Sequence, residues 1–145
     1  MNKKGFTLFE TVLCMMIMSV LYITLLSGNN MLERIKFVQQ ANTIERHIVA
    51  AQSLAHMKKM PYTVLFINQK MYVKEGLKTV YSLRIEKNIN LSVHTNSSDN
   101  VIFFRRDLSP TYCGTITLTN KKIKKQARIT VRPVTGKTKI YYSDI

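Results

Sequence analysis

Gly5-Phe6-Thr7-Leu8-Phe9-Glu10, with Lys3-Lys4 before it and a long apolar run after it, is the stretch that decides the fold of this chain. The run from Phe6 to Leu26 has 21 residues, and Glu10 is its only ionisable carboxylate. A bilayer core of roughly 30 Å needs about 20 apolar residues in a helix, so the run predicts one membrane-spanning helix. The lysines before the run predict a cytoplasmic N-terminus, since no charge follows from Thr11 to Leu32.

An ordinary secretory signal does not explain this segment. Such a signal has a shorter apolar core and a small-residue cleavage site behind it. Ser27-Gly28 is small, but it follows a run that is too long and that contains a glutamate. A charge at this depth is expensive in a membrane, which indicates that Glu10 has a function.

The segment resembles the type IV prepilin signal, in which a short basic leader precedes glycine, phenylalanine, threonine, leucine, an apolar residue and glutamate. Gly5 to Glu10 match that pattern at every position. The resemblance implies that prepilin peptidase cleaves after Gly5 and that the new N-terminus, Phe6, is methylated. It also implies that the helices of several subunits assemble into a filament on an inner-membrane platform, after a stage in membrane lipid.

Glu10 has two interpretations. It lies about 6 Å along the helix axis from Phe6, one turn away. A carboxylate near its own helix N-terminus is stabilised by the helix dipole. Alternatively, Glu10 pairs with the amine of Phe6 in a neighbouring subunit, which would set the axial stagger because an unpaired charge in hydrocarbon is costly. The family resemblance favours the second interpretation.

After the apolar run, the spacing of the apolar residues becomes that of an amphipathic helix. Residues 31–60 predict an amphipathic helix, which Pro61 ends. Glycine and asparagine in Ser27–Asn30 predict a bent or melted helix near Gly28. The apolar positions of the amphipathic part recur at spacings of three and four: Leu32, Ile35, Val38, Ala41, Ile44, Ile48, Ala51 and Ala55.

After Pro61 the apolar period becomes two, which predicts strands. The fold class is therefore α+β, with a long N-terminal helix packed on a small antiparallel sheet. The expected organisation is a cleaved leader (1–5), a transmembrane and filament-core helix (6–27), its amphipathic continuation (28–60) and a β domain (61–145). The expected strands are Tyr62–Ile67, Met71–Lys74, Val80–Ile85, Leu91–His94, Val101–Arg105, Thr115–Thr119, Arg128–Arg132 and Lys137–Tyr142.

The C-terminal third carries a second, looser resemblance. Phe103-Phe104, Cys113–Leu118, Ile129–Val131 and Gly136–Ile140 follow an order that is similar to one group of pseudopilins. The group includes the H-type minor pseudopilin of type II secretion, a DNA-binding minor pilin of transformation systems, and the D-type pseudopilin of the Gram-positive competence operon. The short chain and its Lys- and Asn-rich composition favour the competence member.

Charge points to an anionic partner. The formal net charge is +14, and residues 105–139 hold ten Lys and Arg but a single acid, Asp107. Strand parity predicts that Arg128, Arg132, Lys137 and Lys139 share an outer face if Ile129, Val131, Ile140 and Tyr142 pack inward. Lys121, Lys122, Lys124 and Lys125 are expected to adjoin them from the preceding loop. Such a surface suits the phosphates of double-stranded DNA, although a solvated sheet face, with lysines that block edge pairing, is the simpler explanation.

Neither catalysis nor a cofactor is indicated. His47 and His56 are nine residues apart on the helix and His94 is isolated, so no spacing is typical of a zinc site. No phosphate loop or paired-carboxylate site is present in the sequence. Cys14 lies at membrane depth and Cys113 outside it, which excludes a bridge between them.

Two classes of function compete. The first is a minor subunit of a competence pilus, which assembles or caps the filament used for DNA uptake and is found in the cell membrane and at the cell surface. The second is a minor pseudopilin of a protein-secretion pseudopilus with no DNA role. A third, weaker class is a membrane-anchored surface protein without pilin partners.

Overall fold

The structure is a computed structural model that describes residues 7–97, 99–107 and 109–145. It divides into two compact units, Met1–Ile35 and Lys36–Ile145. Helix α1 (Leu8–Met57) contributes to both units. Within the described residues nine strands follow it: β1 (Tyr62–Ile67), β2 (Lys70–Glu75), β3 (Lys78–Arg84), β4 (Asn90–Thr95), β5 (Val101–Phe104), β6 (Pro110–Tyr112), β7 (Gly114–Asn120), β8 (Lys125–Val131) and β9 (Thr138–Asp144).

Helix α1 is assigned through residues 27–30 without a break. Of the two expectations for the helix near Gly28, bent or melted, melting is therefore wrong, and the bend stays a prediction. Glycine and asparagine cost only about 1 kcal/mol or less each relative to alanine, which two long flanking helical stretches can absorb. The helix ends at Met57, three residues before the predicted end. Lys59 then has φ 53°, a left-handed backbone that stops the helix ahead of Pro61.

The strands form two antiparallel sheets rather than the single sheet expected. Sheet A has the order β3-β2-β1-β5-β6, and sheet B has the order β4-β7-β8-β9. The chain completes the meander β1-β2-β3, crosses to sheet B for β4, returns for β5 and β6, and ends in the meander β7-β8-β9. The α+β class is confirmed, and the eight predicted strands all exist with small shifts of their ends.

Two tight turns give sheet A its register. Ile67 pairs with Lys70, so Asn68 and Gln69 form a two-residue turn with φ 48° and 59°. Both central residues are left-handed, as a type I′ hairpin requires. Gly76 has φ 58° in the next hairpin, where Glu75 pairs with Lys78. That turn is Gly76-Leu77.

One apolar core joins the second half of α1 to both sheets. Six of the described positions of the helix are buried, at alternating spacings of four and three residues. Three of these six residues are alanines, whose small side chains let the sheets approach the helix closely. The prediction of this stripe is correct from Ala41 to Ala55. It is wrong for Leu32, Ile35 and Val38, which are exposed, and it missed Phe37, which is buried. The buried helix residues are Phe37, Ala41, Ile44, Ile48, Ala51 and Ala55.

Candidate assembly site and basic hairpin

The N-terminus of α1 is closed by a reciprocal pair, Thr7 and Glu10. The backbone N–H and the hydroxyl of Thr7 both donate to Oε2 of Glu10, each at 2.9 Å. The N–H of Glu10 donates to Oγ1 of Thr7 at 3.3 Å. This is a capping box, in which residues three apart satisfy each other's free helix-end donors. Sequence reasoning missed Thr7, although threonine followed three residues later by glutamate is a recognised signal.

The capping box bears on both interpretations of Glu10. Within the chain, its carboxylate serves its own helix end, as the first interpretation expects. Only Oε2 has a hydrogen bond among the described residues, so Oε1 is free to accept a donor from another molecule. Gly5 and Phe6, the predicted cleavage and methylation sites, lie outside the described residues. The pairing between subunits stays a prediction.

The first unit contains a helix segment suited to a membrane. Leu8–Leu25 is apolar enough to span a bilayer and has none of its residues buried. Its 18 residues extend about 27 Å at 1.5 Å per residue, close to the hydrocarbon thickness. The aliphatic hydroxyls of Thr11, Ser19 and Thr24 donate to carbonyls of the same helix. They are therefore hydrogen-bonded within the helix in an apolar medium.

The basic hairpin β8–β9 has the faces that parity predicted. Ile129 and Val131 are buried, and Ile140 packs against the core. Tyr142 lies on that same side but is exposed rather than packed inward as predicted, and its hydroxyl donates to Oδ1 of Asn42 on α1 at 3.0 Å. The opposite, outer face therefore carries the basic side chains.

Register brings the four predicted basic residues together on this outer face. Arg128 pairs with Tyr141, Thr130 pairs with Lys139, and the N–H of Arg132 donates to the carbonyl of Lys137 at 3.0 Å. Arg128, Arg132, Lys137 and Lys139 are all exposed. Same-face neighbours on paired strands lie within about 5–8 Å, so their charges reinforce one another.

The lysine-rich loop does not adjoin the whole of this cluster, and that prediction is wrong. Lys121, Lys122 and Lys124 form the β7–β8 turn, whereas Arg132 and Lys137 border the β8–β9 turn. Strand β8 separates the two turns by its seven residues, roughly 23 Å at 3.3 Å per residue. Lys125 has the parity of Ile129, not of Arg128, and it forms an ion pair with Asp144.

A polar concavity on the outer face of sheet B was not predicted. It has a volume of about 470 Å³ and lies over strands β4, β7 and β8. The signal was the alternation Thr115-Ile116-Thr117-Leu118-Thr119, where each threonine points away from a buried neighbour. The side chains that line the concavity are Ser92, His94, Thr115, Thr117, Thr119, Gln126 and Arg128.

The histidines have separate surroundings. His47 stacks on Tyr81 with ring centroids 3.6 Å apart, and burial lowers the pKa of His47. Nδ1 of His56 lies 3.2 Å from the carbonyl oxygen of Arg106, and Nε2 of His94 lies 3.2 Å from Oγ of Ser92. Among the described residues, no group of three or more His, Cys, Asp or Glu could hold a metal ion. Cys14 and Cys113 are both free thiols.

Comparison with known proteins gives a match of structure. No protein-family model matches this chain, and no curated protein does either. Among solved structures, the chain is similar to the minor pseudopilin EpsH from the type 2 secretion system of Vibrio cholerae, with a TM-score of 0.59 and 10% sequence identity. The similarity covers 70% of this chain and 93% of that one. The chain therefore has the fold of a minor pseudopilin.

Proposed function

We propose that this chain is a minor pseudopilin of a competence pilus, which helps to assemble or cap the filament used for DNA uptake. One observation carries the proposal. A single chain joins an exposed apolar helix of membrane-spanning length to a soluble unit, within a minor-pseudopilin fold. A filament subunit needs both parts, since the apolar helix must be covered by lipid before assembly and by other helices afterwards.

The N-terminal residues supply the route into the filament. In this proposal, prepilin peptidase cleaves after Gly5, Phe6 becomes the methylated terminus, and an inner-membrane platform extracts the subunit from the lipid. Cleavage leaves Thr7 and Glu10 in place, so the capping box can persist in the mature helix. Oε1 of Glu10 is then available to the amine of a neighbouring subunit, and other pilins or pseudopilins of the filament are the partners.

The outer face of the β8–β9 hairpin supports the competence role. Four basic side chains meet there: Arg128, Arg132, Lys137 and Lys139. No carboxylate of β8 or β9 lies among them, because the one acid of these strands, Asp144, pairs with Lys125 on the other face. Such a surface favours phosphate contacts that do not depend on base sequence. We propose that it contacts double-stranded DNA.

A secretion role is the second candidate; EpsH belongs to a secretion system, but a shared fold favours neither role. In that role the chain is a structural subunit and its charge has no DNA function. Both candidates use the same helix and the same fold. The two roles therefore predict the same features of the helix, but they predict different phenotypes for an organism that lacks the protein.

Deletion of the gene, scored both for transformation and for protein secretion, separates the two. The competence role predicts transformation reduced by orders of magnitude with normal secretion. Complementation with the wild-type chain restores transformation, and complementation with the Glu10→Gln chain does not. Normal transformation together with failed secretion would establish the second candidate instead.

A further inference from the structure

The outer face of sheet B is polar across its central strands, and its polar side chains are in register. Ser92 and Arg128 both pair with Thr117, from opposite sides of β7, and His94 pairs with Thr115. We call this surface the threonine face and define it by Ser92, His94, Thr115, Thr117, Thr119 and Arg128. Together with Gln126, these residues line the concavity of about 470 Å³.

The threonine face presents hydrogen-bond donors that the protein does not use. Within the described residues, the side chains of Thr117, Thr119 and Arg128 have no hydrogen bond or ion pair. Thr115 is within 3.2 Å of the hydroxyl of Thr130. The threonines alternate with Ile116 and Leu118, which are fully buried, so the backbone that carries the hydroxyls is fixed by the core. The positions of the β7 threonines are therefore set before any ligand arrives, which lowers the entropic cost of binding.

The charge of the threonine face has one sign. Arg128 is its cation, Lys139 lies on the same face beside Thr130, and none of the described residues that face outward from β4, β7, β8 or β9 is Asp or Glu. A guanidinium and several hydroxyls without a carboxylate match the acceptor oxygens of phosphate. A protein ligand with apolar anchors would find no apolar side chain in the lining.

We infer that the threonine face binds the phosphate backbone of duplex DNA, with the β7 hydroxyls donating to phosphate oxygens and Arg128 pairing with a phosphate. The inference rests on the proposed function and extends the contact from the hairpin to β4 and β7. Three strand spacings of about 4.8 Å make the sheet roughly 14 Å wide, enough to follow a backbone rather than one phosphate. A duplex is the occupant that the proposed function supplies, and no Phe, Tyr or Trp lines the concavity itself, although Tyr141 is exposed on the same face beside Arg128.

The test measures binding of the full-length protein, held in nonionic detergent, to a short fluorescein-labelled duplex by anisotropy at several salt concentrations. The variant with Thr115→Val, Thr117→Val and Thr119→Val keeps the β-branched shape and removes three hydroxyls. We expect its affinity to fall by about threefold or more with an unchanged salt slope, since hydroxyls release no counterions. Arg128→Gln should weaken binding and also reduce the salt slope by about one.

The matched control is Thr63→Val with Thr79→Val, which removes hydroxyls from sheet A, and circular dichroism checks that each variant is folded. Ser92→Ala is a milder second variant at an exposed position of β4. Unchanged affinity in the folded valine variant overturns the inference, as does an equal loss in the sheet A control or tighter binding of a single strand. Loss of binding when Arg132, Lys137 and Lys139 are changed, with unchanged binding in the valine variant, would leave the proposed hairpin contact standing without the threonine face. If the wild-type protein binds no duplex, both DNA contacts fall, and the transformation assay still decides the filament role.

Discussion

The hydroxyl of Tyr62 donates a 2.7 Å hydrogen bond to Oε2 of Glu75, its cross-strand partner on β2. Lys58, just past the end of α1, donates to the same oxygen at 3.0 Å. Tyr62 is fully buried, so its hydroxyl depends on this acceptor. The hydrogen bond from Tyr62 is the main cause that lowers the pKa of Glu75, and Lys58 lowers it further.

This contact predicts a pH dependence of stability. A carboxyl group whose pKa is lower in the folded than in the unfolded chain stabilises the fold above its unfolded pKa, about 4.3 for Glu. That contribution is lost as the pH falls through the lower, folded value. We expect Glu75→Gln to be less stable than the wild type at pH 7 and to lose less stability on acidification. Denaturant unfolding at several pH values checks this, and parallel pH profiles for the two proteins would contradict it.

Processing gives the second prediction. Replacing Gly5 with a bulky residue should leave full-length protein in the membrane, because the side chain would stand at the predicted scissile bond. N-terminal mass analysis measures the outcome. If the wild-type protein retains Met1 in cells with an active prepilin peptidase, the cleavage site is wrong.

The capping box makes it possible to separate the two roles of Glu10. Glu10→Gln removes the charge, whereas Thr7→Ala removes the capping partner and keeps the charge at a cost of about 1 kcal/mol to the helix end. If Glu10 pairs with a neighbouring subunit, Glu10→Gln should insert and be cleaved but crosslink poorly to other pilins, and Thr7→Ala should crosslink almost normally. Normal crosslinking of Glu10→Gln together with loss in Thr7→Ala would instead assign Glu10 to helix capping alone, since glutamine can keep the capping box.

Gly114 gives a prediction about the sheet that carries the threonine face. A Cβ at this position would lie 2.3 Å from the carbonyl oxygen of His94 and 2.7 Å from Cα of Thr95, both backbone atoms of β4. Gly114→Ala should therefore destabilise the fold by roughly 1–3 kcal/mol and loosen β4. Gly76→Asn is the control, since that site has open space and its φ of 58° suits asparagine. Thermal unfolding compares them, and an unaffected Gly114→Ala protein would contradict the close packing.

The sequence predicted elements well where a single period dominates and poorly where pairing decides. Alternation located eight strands, but β6 has three residues and begins with Pro110, so it has too little period to detect. Alternation also does not identify a strand's partner, and two sheets were therefore not foreseen. On α1, Ile35 and Val38 are as apolar as the buried stripe, and only the position of the sheets shows that Phe37 is buried in their place.

The residues of the candidate site were likewise predicted well where alternation within one strand decides their position, and poorly where pairing between strands decides it. Parity alone predicted that Arg128 and Arg132 share the outer face, because the side chains of a strand alternate strictly. The lysine loop and Arg132 lie at opposite ends of β8, so the distance between them depends on the length of that strand. The sequence pattern started the strand at Arg128 rather than at Lys125, and the predicted strand was therefore too short. The threonine face needed β4 beside β7, a pairing between strands that are far apart in the chain.

The last prediction concerns DNA contact by the basic hairpin. Changing Arg128, Arg132, Lys137 and Lys139 to glutamine should weaken duplex binding at least tenfold, about 1.4 kcal/mol. The wild-type protein should bind without sequence preference, with a dissociation constant of about 10⁻⁴–10⁻⁶ M that rises steeply with salt. Fluorescence anisotropy at two salt concentrations measures both, and circular dichroism checks folding, since solvent-facing changes usually cost under about 0.5 kcal/mol each.

A charge-matched control separates this hairpin from the net charge of the chain. Lys36, Lys70, Lys78 and Lys87 are exposed and none lies on sheet B, so their change to glutamine removes the same four charges elsewhere. If the hairpin is the contact, the control variant should bind DNA several-fold more tightly than the hairpin variant. The reason is that only cations which touch phosphates release counterions from the DNA, and the control variant keeps those cations. Equal weakening in the two folded variants would mean that the hairpin is a solvated face and that DNA senses only the total charge.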